Sequence, residues 1–492
     1  MQGGASEPLW VGVDVGTQGV RTLAVTAEGR VAGRGSAPLT GRRDGVRHEQ
    51  RPDDWWRAVV LATRRALQDA AADAVRGLAV CATSGTVLLT TPDGRPLTDG
   101  LMYDDARARD EAREVQEAGA ALWDRLGHRI QPSWALPKVR WLARENPDVL
   151  SRARIAHQAD VVTGRLVGRP VPTDSSHALK TGYDLFDERW PHDLHDRLGL
   201  PATLFPEVVR PGTVLGVVGA DAAAETGLRA GTPVIAGMTD GCAAQLGSGT
   251  LRPGRWNSVL GTTLVLKGVT VSPVRDPAGV VYNHRAPDGN WLPGGASSVG
   301  AGVLDGAGDD LERLDALAAR HEPSSAVAYP LVSPGERFPF LAPEAEGFML
   351  GVPRDEGDRH AALLQGVALV ERLALAYLRR LGAAVEGPVT FTGGAARSAY
   401  WCQLRADVLG RPARIPEHAD AALGMAVLAA CGTSPGRAPA DVAESMVRVR
   451  TVVEPRPGMT ARFGDAFRRL VDELERRGWL PSDVAAHARE HG

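Results

Sequence analysis

The chain has 492 residues, 43% of them apolar and 23% charged, with a formal net charge of −3. At roughly 150 residues per domain this length gives a prior of about three domains, more than one hydrophobic core serves. Composition and charge exclude a disordered chain, a collagen repeat and a polyelectrolyte drawn to nucleic acid or anionic lipid.

In chain order, Leu9 to Val15 reads as a buried strand that breaks into the turn Gly16-Thr17-Gln18-Gly19, and a second strand runs from Arg21 to Thr26. This is a hairpin, not the strand–turn–helix of a Rossmann or Walker loop. Pro52-Asp53 opens a helix with Trp56, Val59, Val60, Thr63 and Leu67 on one face. Strands are predicted at 78–82 and 86–90, and helices at 105–126 and 137–145. Alternation of this kind indicates an α/β chain. Further on, Val234 to Gly237 reads as a strand, and Thr239-Asp240-Gly241 opens a small-residue helix. Asn257 to Leu260 leads into Gly261-Thr262-Thr263 and the strand 264–266. The same strand, Gly-Thr turn and strand thus recur about half a chain length after the first, which favours a duplicated two-domain architecture. Residues 359–381 form an amphipathic helix ending at Gly382, a C′ residue. A strand at 389–391 then precedes Thr392-Gly393-Gly394-Ala395 and a helix from Ser398 to Leu409. Residues after 452 are charged and loosely patterned, as expected for a terminal helix and tail.

Cys81, Cys242, Cys402 and Cys431 form no CxxC, and residues 1–7 lack the basic and apolar regions of a signal peptide. The apolar stretch 421–431 is too short to span a bilayer. A cytoplasmic protein with no membrane partner is expected. Of the 56 basic residues only Lys138, Lys180 and Lys267 are lysine. Genomic bias explains the arginines; the surviving lysines mark places where a compact ammonium is needed.

Candidate chemistry centres on the Gly/Thr turns. Glycine lets backbone amides approach a phosphate closely and threonine adds hydroxyl donors, although each turn taken alone serves structure equally well. Asp14 ends an otherwise apolar strand two residues before the first turn, where a carboxylate is costly to bury unless it is paired or faces a cation. Mg²⁺, which takes one or two carboxylates plus water and phosphate oxygens, suits that position. Asp240 lies just past a strand at a helix start. It can act as an N-cap or as a base that accepts a hydroxyl proton during phosphoryl transfer. The tryptophans Trp56 and Trp141 read as core, and none of the twelve histidines is nominated as a metal ligand.

The set Val13-Asp14-Val15-Gly16-Thr17-Gln18-Gly19, Lys138-Val139-Arg140-Trp141-Leu142-Ala143-Arg144-Glu145, Gly237-Met238-Thr239-Asp240-Gly241 and Gly393-Gly394-Ala395-Ala396-Arg397-Ser398, in this order, resembles the FGGY family of carbohydrate kinases. Gly347-Phe348-Met349-Leu350-Gly351-Val352 matches the start of that family's second signature, with a shortened spacer to Asp358–Gln365. The resemblance implies an α/β fold of two actin/hexokinase-like (ribonuclease H-like) ATPase domains flanking a central cleft. The sugar-binding domain would span residues 1–248, the ATP-binding domain 249–452, and a C-terminal helix and tail 453–492. It implies ATP and Mg²⁺ as cofactors, with Gly16, Thr17, Gln18, Gly261, Thr262, Thr263, Gly393, Gly394, Ala395 and Ser398 at the nucleotide. Asp14 would lie near Mg²⁺, through water, and Asp240 would be the catalytic base. Ala82-Thr83-Ser84-Gly85-Thr86 stands where xylulokinases carry Met-His-Gly, and resembles the branch associated with D-ribulose phosphorylation. Gln158-Ala159-Asp160 and the segment from His177 to Asp184 resemble that branch as well. By this resemblance Asp14, Thr83, Ser84, Asp104 and Asp240 would contact the sugar, although Tyr103-Asp104-Asp105 also fits a charged helix start. The expected reaction converts D-ribulose to D-ribulose 5-phosphate. The alternatives are D-xylulose or another polyol as acceptor, and, on the same fold, a cytoskeletal or chaperone ATPase or an inactive sugar sensor. Asp14 and Asp240 favour the kinase. The expected partners are sugar and ATP, with no nucleic acid, in a monomer or homodimer.

Overall fold

The computed structural model describes residues 7–305 and 310–492. The chain divides into two compact units. The first comprises Met1–Leu251, His284–Asn290 and His418–Arg448; the second comprises Arg252–Asn283, Trp291–Glu417 and Val449–Gly492.

The sheet of the first unit runs Val214–Val217, Pro233–Ile235, Val75–Ala82, Leu9–Val15, Gly19–Thr26, Val31–Pro38. The last three form an antiparallel meander. Val75–Ala82 adds parallel to Leu9–Val15, Pro233–Ile235 adds parallel to Val75–Ala82, and Val214–Val217 closes the edge antiparallel. Val11, Val13, Val15, Leu78 and Val80 are fully buried, which is why these strands read as continuous apolar runs and not as alternating ones. The helix Pro52–Ala66 has proline in its first turn with Asp53 and Asp54, and it covers the meander. The helix Ala421–Thr433 lies against Leu9–Val15 and against the helix Asp240–Gly247. Glycine makes both contacts possible. A Cβ on Gly12 would fall 1.8 Å from the Ala422 carbonyl oxygen, and one on Gly424 1.8 Å from that of Ala243.

The sheet of the second unit runs Trp291–Ser297, Leu264–Gly268, Trp256–Leu260, Val389–Thr392, Ala413–Pro416, Val449–Val453. Its directions are antiparallel, antiparallel, parallel, parallel, antiparallel. Read from the Val449–Val453 edge, these six strands repeat the order and directions of the first unit, with Tyr282–Arg285 added as a seventh strand beyond Trp291–Ser297, so the duplication signalled by the two Gly-Thr turns extends across the sheet.

Three elements differ from the sequence reading. The stretch 105–126 is not one helix but Arg109–Ala118 and Ala120–Leu126: the buried Asp105 carboxylate binds the His48 amide and the Arg107 side chain and keeps its own segment out of the helix, and Gly119 separates the two helices. The helix Glu356–Arg380 is buried on nearly every side and has no solvent face. Its polar residues are paired inside: Asp358 accepts from Ser324 (2.5 Å), and Glu371 accepts two bonds from Arg405. It is long and apolar enough to cross a membrane, but 89% of its apolar window lies within the unit. Beyond 452 the chain carries three helices, Met459–Arg462, Gly464–Arg476 and Ser482–His491, of which the second and third bury Phe467, Leu470, Val471, Leu474 and Ala485 in the core.

Candidate active site

In the first unit the hairpin places Asp14 beside the turn 16–19. The turn is closed by the Gly16 amide donating to the Gly19 carbonyl (3.0 Å) and is pinned by Gln50, whose amide donates to the Thr17 carbonyl (2.7 Å). Register sets Asp14 opposite Arg21 on one side and Cys81 on the other. Asp14, the turn, Arg21, Arg43 and Tyr103 line an open cavity of about 710 Å³. Burial pushes the Asp14 carboxyl up to about 6, and repulsion from Asp240 adds to it; Arg21 pulls the other way. The same burial, with Asp14 alongside, raises the Cys81 thiol well above its ordinary range, so it stays protonated and donates to Asp14 (3.5 Å).

Asp240 heads the helix Asp240–Gly247 and is half-buried, with its own Oδ1 accepting from the Gly241 amide (2.7 Å). Its side chain caps nothing further along the helix; the N-cap position belongs to Thr239. Thr239 in turn is held by a buried network. Its amide donates to Ser176 Oγ (2.8 Å), Ser176 donates to Asp174 Oδ1 (2.6 Å), and His177 Nδ1 shares a proton with Asp174 Oδ2 (2.5 Å). Burial opposes charge on His177, but the Asp174 carboxylate outweighs it and raises the ring above its ordinary range. Asp240, and more weakly Asp420 at the start of the neighbouring helix, contribute negative potential at Asp14.

The other sequence-nominated residues fall in several places. Thr83 is buried, with its hydroxyl bonded to Gln158 (2.8 Å) and Thr86 (2.5 Å), whereas Ser84 is half-buried and its carbonyl accepts from Lys180 Nζ (3.2 Å). Burial raises Asp104, but bonds from His48 Nδ1 and Arg43 (each 2.6 Å) outweigh it and hold the carboxyl below its ordinary range. In the second unit the Gly261 amide donates to the Thr263 carbonyl (3.1 Å), with Thr262 in the turn between them. Gly393 has φ +85° against the Leu260 backbone, and the space beside Gly394 is open. Ala395 is buried, and Ser398 caps the helix Ala399–Leu409 while donating to Asp315 (2.7 Å). Asp14 and Asp240 therefore share one electrostatic site in the first unit, and the phosphate-type turns 261–263 and 393–395 sit at strand ends of the second. Arg21 escaped the sequence reading although the hairpin register predicts it opposite Asp14. Arg43 and the Asp174–Ser176–His177 network gave no local signal, because tertiary contacts alone bring them there.

Among the described residues no cluster of three or more acids, histidines and cysteines forms a closed metal cage. A buried carboxyl raised by burial and by a second acid, open to a cavity, does fit a hydrated Mg²⁺ that keeps its waters and phosphate ligands.

Residues 9–247 match the N-terminal domain profile of the FGGY family of carbohydrate kinases and residues 256–433 the C-terminal domain profile. A xylulose kinase of Streptomyces rubiginosus is 33% identical over 98% of this chain and 97% of its own. An autoinducer-2 kinase of an Enterobacter species is 30% identical over 82% of each chain. The crystal structure of a xyloylose kinase from Brucella ovis superposes with a TM-score of 0.86 at 26% identity, covering 96% of this chain and 99% of that one. With two matched domains, a duplicated sheet and paired acids beside a glycine turn, the chain belongs to the FGGY family of carbohydrate kinases and is an ATP-dependent sugar phosphotransferase.

Proposed function

We propose that the enzyme phosphorylates a ketopentose at its terminal hydroxyl, with D-ribulose as the preferred acceptor. The observation that carries this reading is the Thr83-Ser84-Gly85 segment at the end of the strand Val75–Ala82. There Gly85 adopts φ +100° and Lys180 holds the Ser84 carbonyl, so the segment offers a small hydroxyl where xylulokinases carry a bulkier Met-His. D-Xylulose is the second reading, favoured by the full-length likeness to the Streptomyces xylulose kinase.

In the mechanism, Asp240 accepts the proton of the attacking sugar hydroxyl as its oxygen bonds to the γ-phosphorus and the bond to ADP breaks. Thr239, fixed through Ser176 and Asp174, orients that carboxylate. In the first unit the amides of the turn 16–19 hold phosphate oxygens, with Arg21 and Arg43 adding positive charge at the cavity of Asp14. Asp14 would hold Mg²⁺ through water, and that ion supplies charge neutralisation at the β- and γ-phosphates. We place the enzyme in the cytoplasm, in accord with its four free thiols.

The test is a kcat/KM panel of D-ribulose, D-xylulose, L-ribulose, ribitol and glycerol. D-Ribulose should lead D-xylulose by roughly tenfold or more. Equal or reversed values overturn the D-ribulose reading, and turnover of ribitol or glycerol alone overturns the ketopentose reading.

A further inference from the structure

A second concentration of positive charge lies wholly within the second unit. Arg372 and Arg379, one face of the helix Glu356–Arg380, meet Arg411 and the histidines His487 and His491 of the terminal helix around a cavity of about 830 Å³. Elsewhere in this unit buried guanidiniums face carboxylates, as Arg405 does with Glu371 at 2.8 Å. Here the hydrogen-bond acceptors are main-chain oxygens, one of them on the last residue, Gly492. Arg372 donates to the Gly492 oxygen (2.8 Å), Arg379 to that of His491 (2.9 Å) and Arg411 to that of Gly387 (3.3 Å). Three donor atoms, Arg372 Nη1, Arg379 Nε and His487 Nε2, are shut off from solvent with no partner. A buried donor left in that state is costly, and more so when charged. Burial lowers Arg372, Arg379 and Arg411, and Arg379 and Arg411 respectively press Arg372 and Arg379 further down. The neighbouring acid Asp483 is engaged by Arg380, leaving Glu386 and Glu490 as the acids that weigh on Arg411 and His487.

Guanidinium groups gathered at one cavity, with no acidic side chain hydrogen-bonded to them among the described residues, are an arrangement that can bind phosphate bidentately. The volume lies within the roughly 300–1,000 Å³ of small-molecule sites, and Leu375, Leu409 and Pro412 add an apolar wall. We propose that this pocket is a second, non-catalytic site that takes a small phosphorylated metabolite by its phosphoryl group. It owes nothing to Asp14, Asp240 or the Gly/Thr turns. The opposing role for these arginines is to cap the last carbonyls of the terminal helix and nothing more.

The two roles separate experimentally in Arg379→Gln/Arg411→Gln, compared with the full-length wild type by calorimetric titration and thermal melts. Inorganic phosphate, ketopentose 5-phosphate and ADP are the probes. In wild type, phosphate should bind saturably and raise Tm; in the double variant its Kd should weaken about tenfold or more, with kcat/KM for sugar within about twofold. Without phosphate the variant should melt no lower than wild type, since like charges have been removed. The probe whose Kd the double variant weakens most identifies the metabolite class. Phosphate binding that is absent from wild type, or unchanged in the variant, overturns the proposal. So does a lower Tm with no phosphate effect, which is the signature of helix capping. Arg411→Gln alone serves the same comparison if the double variant does not fold.

Discussion

Asp14 and Cys81 face each other across parallel strands, and the Cys81 thiol donates to Asp14 Oδ1 at 3.5 Å. A thiol is a weak donor, and Arg21 acts on Asp14 only at a distance, so the carboxylate is under-solvated. Asp14→Asn should therefore stabilise the fold while weakening phosphoryl transfer. The sign follows from the raised carboxyl at about 6 against 3.8 unfolded. Between these values the folded protein binds more protons, so wild-type stability falls as pH rises through that window and stays reduced above it. At pH 8 the variant should melt higher, by an amount equivalent to up to about 3 kcal/mol. At pH 4 the gap should close, and a constant gap across pH would contradict this account.

Asp240→Asn removes the proposed proton acceptor but keeps the shape. We expect kcat to fall roughly a thousandfold with nucleotide affinity largely retained. Ser176→Ala, which loses the bond to the Thr239 amide, should lower kcat by a smaller factor and leave the KM for ATP unchanged. Stopped-flow ADP release and nucleotide titration read both, and near-normal turnover in Asp240→Asn refutes its role.

Lys138 is fully buried, and its ammonium donates to the Met102 carbonyl at 2.7 Å. Burial lowers it to about 7 from 10.5. Between those values the unfolded chain binds the extra proton, so this lysine makes stability rise with pH from 7 upward. That slope should be missing from Lys138→Met in melts at pH 7 and pH 9. Lys138→Arg should destabilise by about 3 kcal/mol or more, because a guanidinium cannot shed its proton in a buried slot. The reverse exchange at an exposed side chain, Arg95→Lys, should show almost no effect on stability.

Gly424→Ala should be disproportionately damaging for a single methyl. The added Cβ meets the Ala243 carbonyl oxygen in the helix that Asp240 heads, so the two helices must move apart. A loss of about 2 kcal/mol or more, together with a lower kcat at unchanged ATP affinity, is expected from paired denaturation and kinetic measurements.

The hairpins and their Gly-Thr turns were legible because strand and turn chemistry is local, and so was the position of Asp14 and Asp240 at strand and helix ends. The helix 359–381 was legible as well, but its burial was not, since an amphipathic pattern leaves a polar face until Ser324, Ser325 and Arg405 are placed beside Asp358 and Glu371. The break between Arg109–Ala118 and Ala120–Leu126 depends on Gly119, against whose Cα the Trp123 ring packs. The Asp174–Ser176–His177 network reaches Thr239 across 63 residues, a separation no periodicity encodes.

Matching the two sheets strand for strand sets Asp14 against Val259 and Arg21 against Val265, because each pair flanks its turn in the same register. The partner across the parallel strand changes likewise, from Cys81 to Thr392. Duplication thus copied the frame but left a carboxylate in one half only. What the repeat keeps is therefore the path and direction of the strands, while the Asp–Arg pair across the hairpin belongs to the first unit alone.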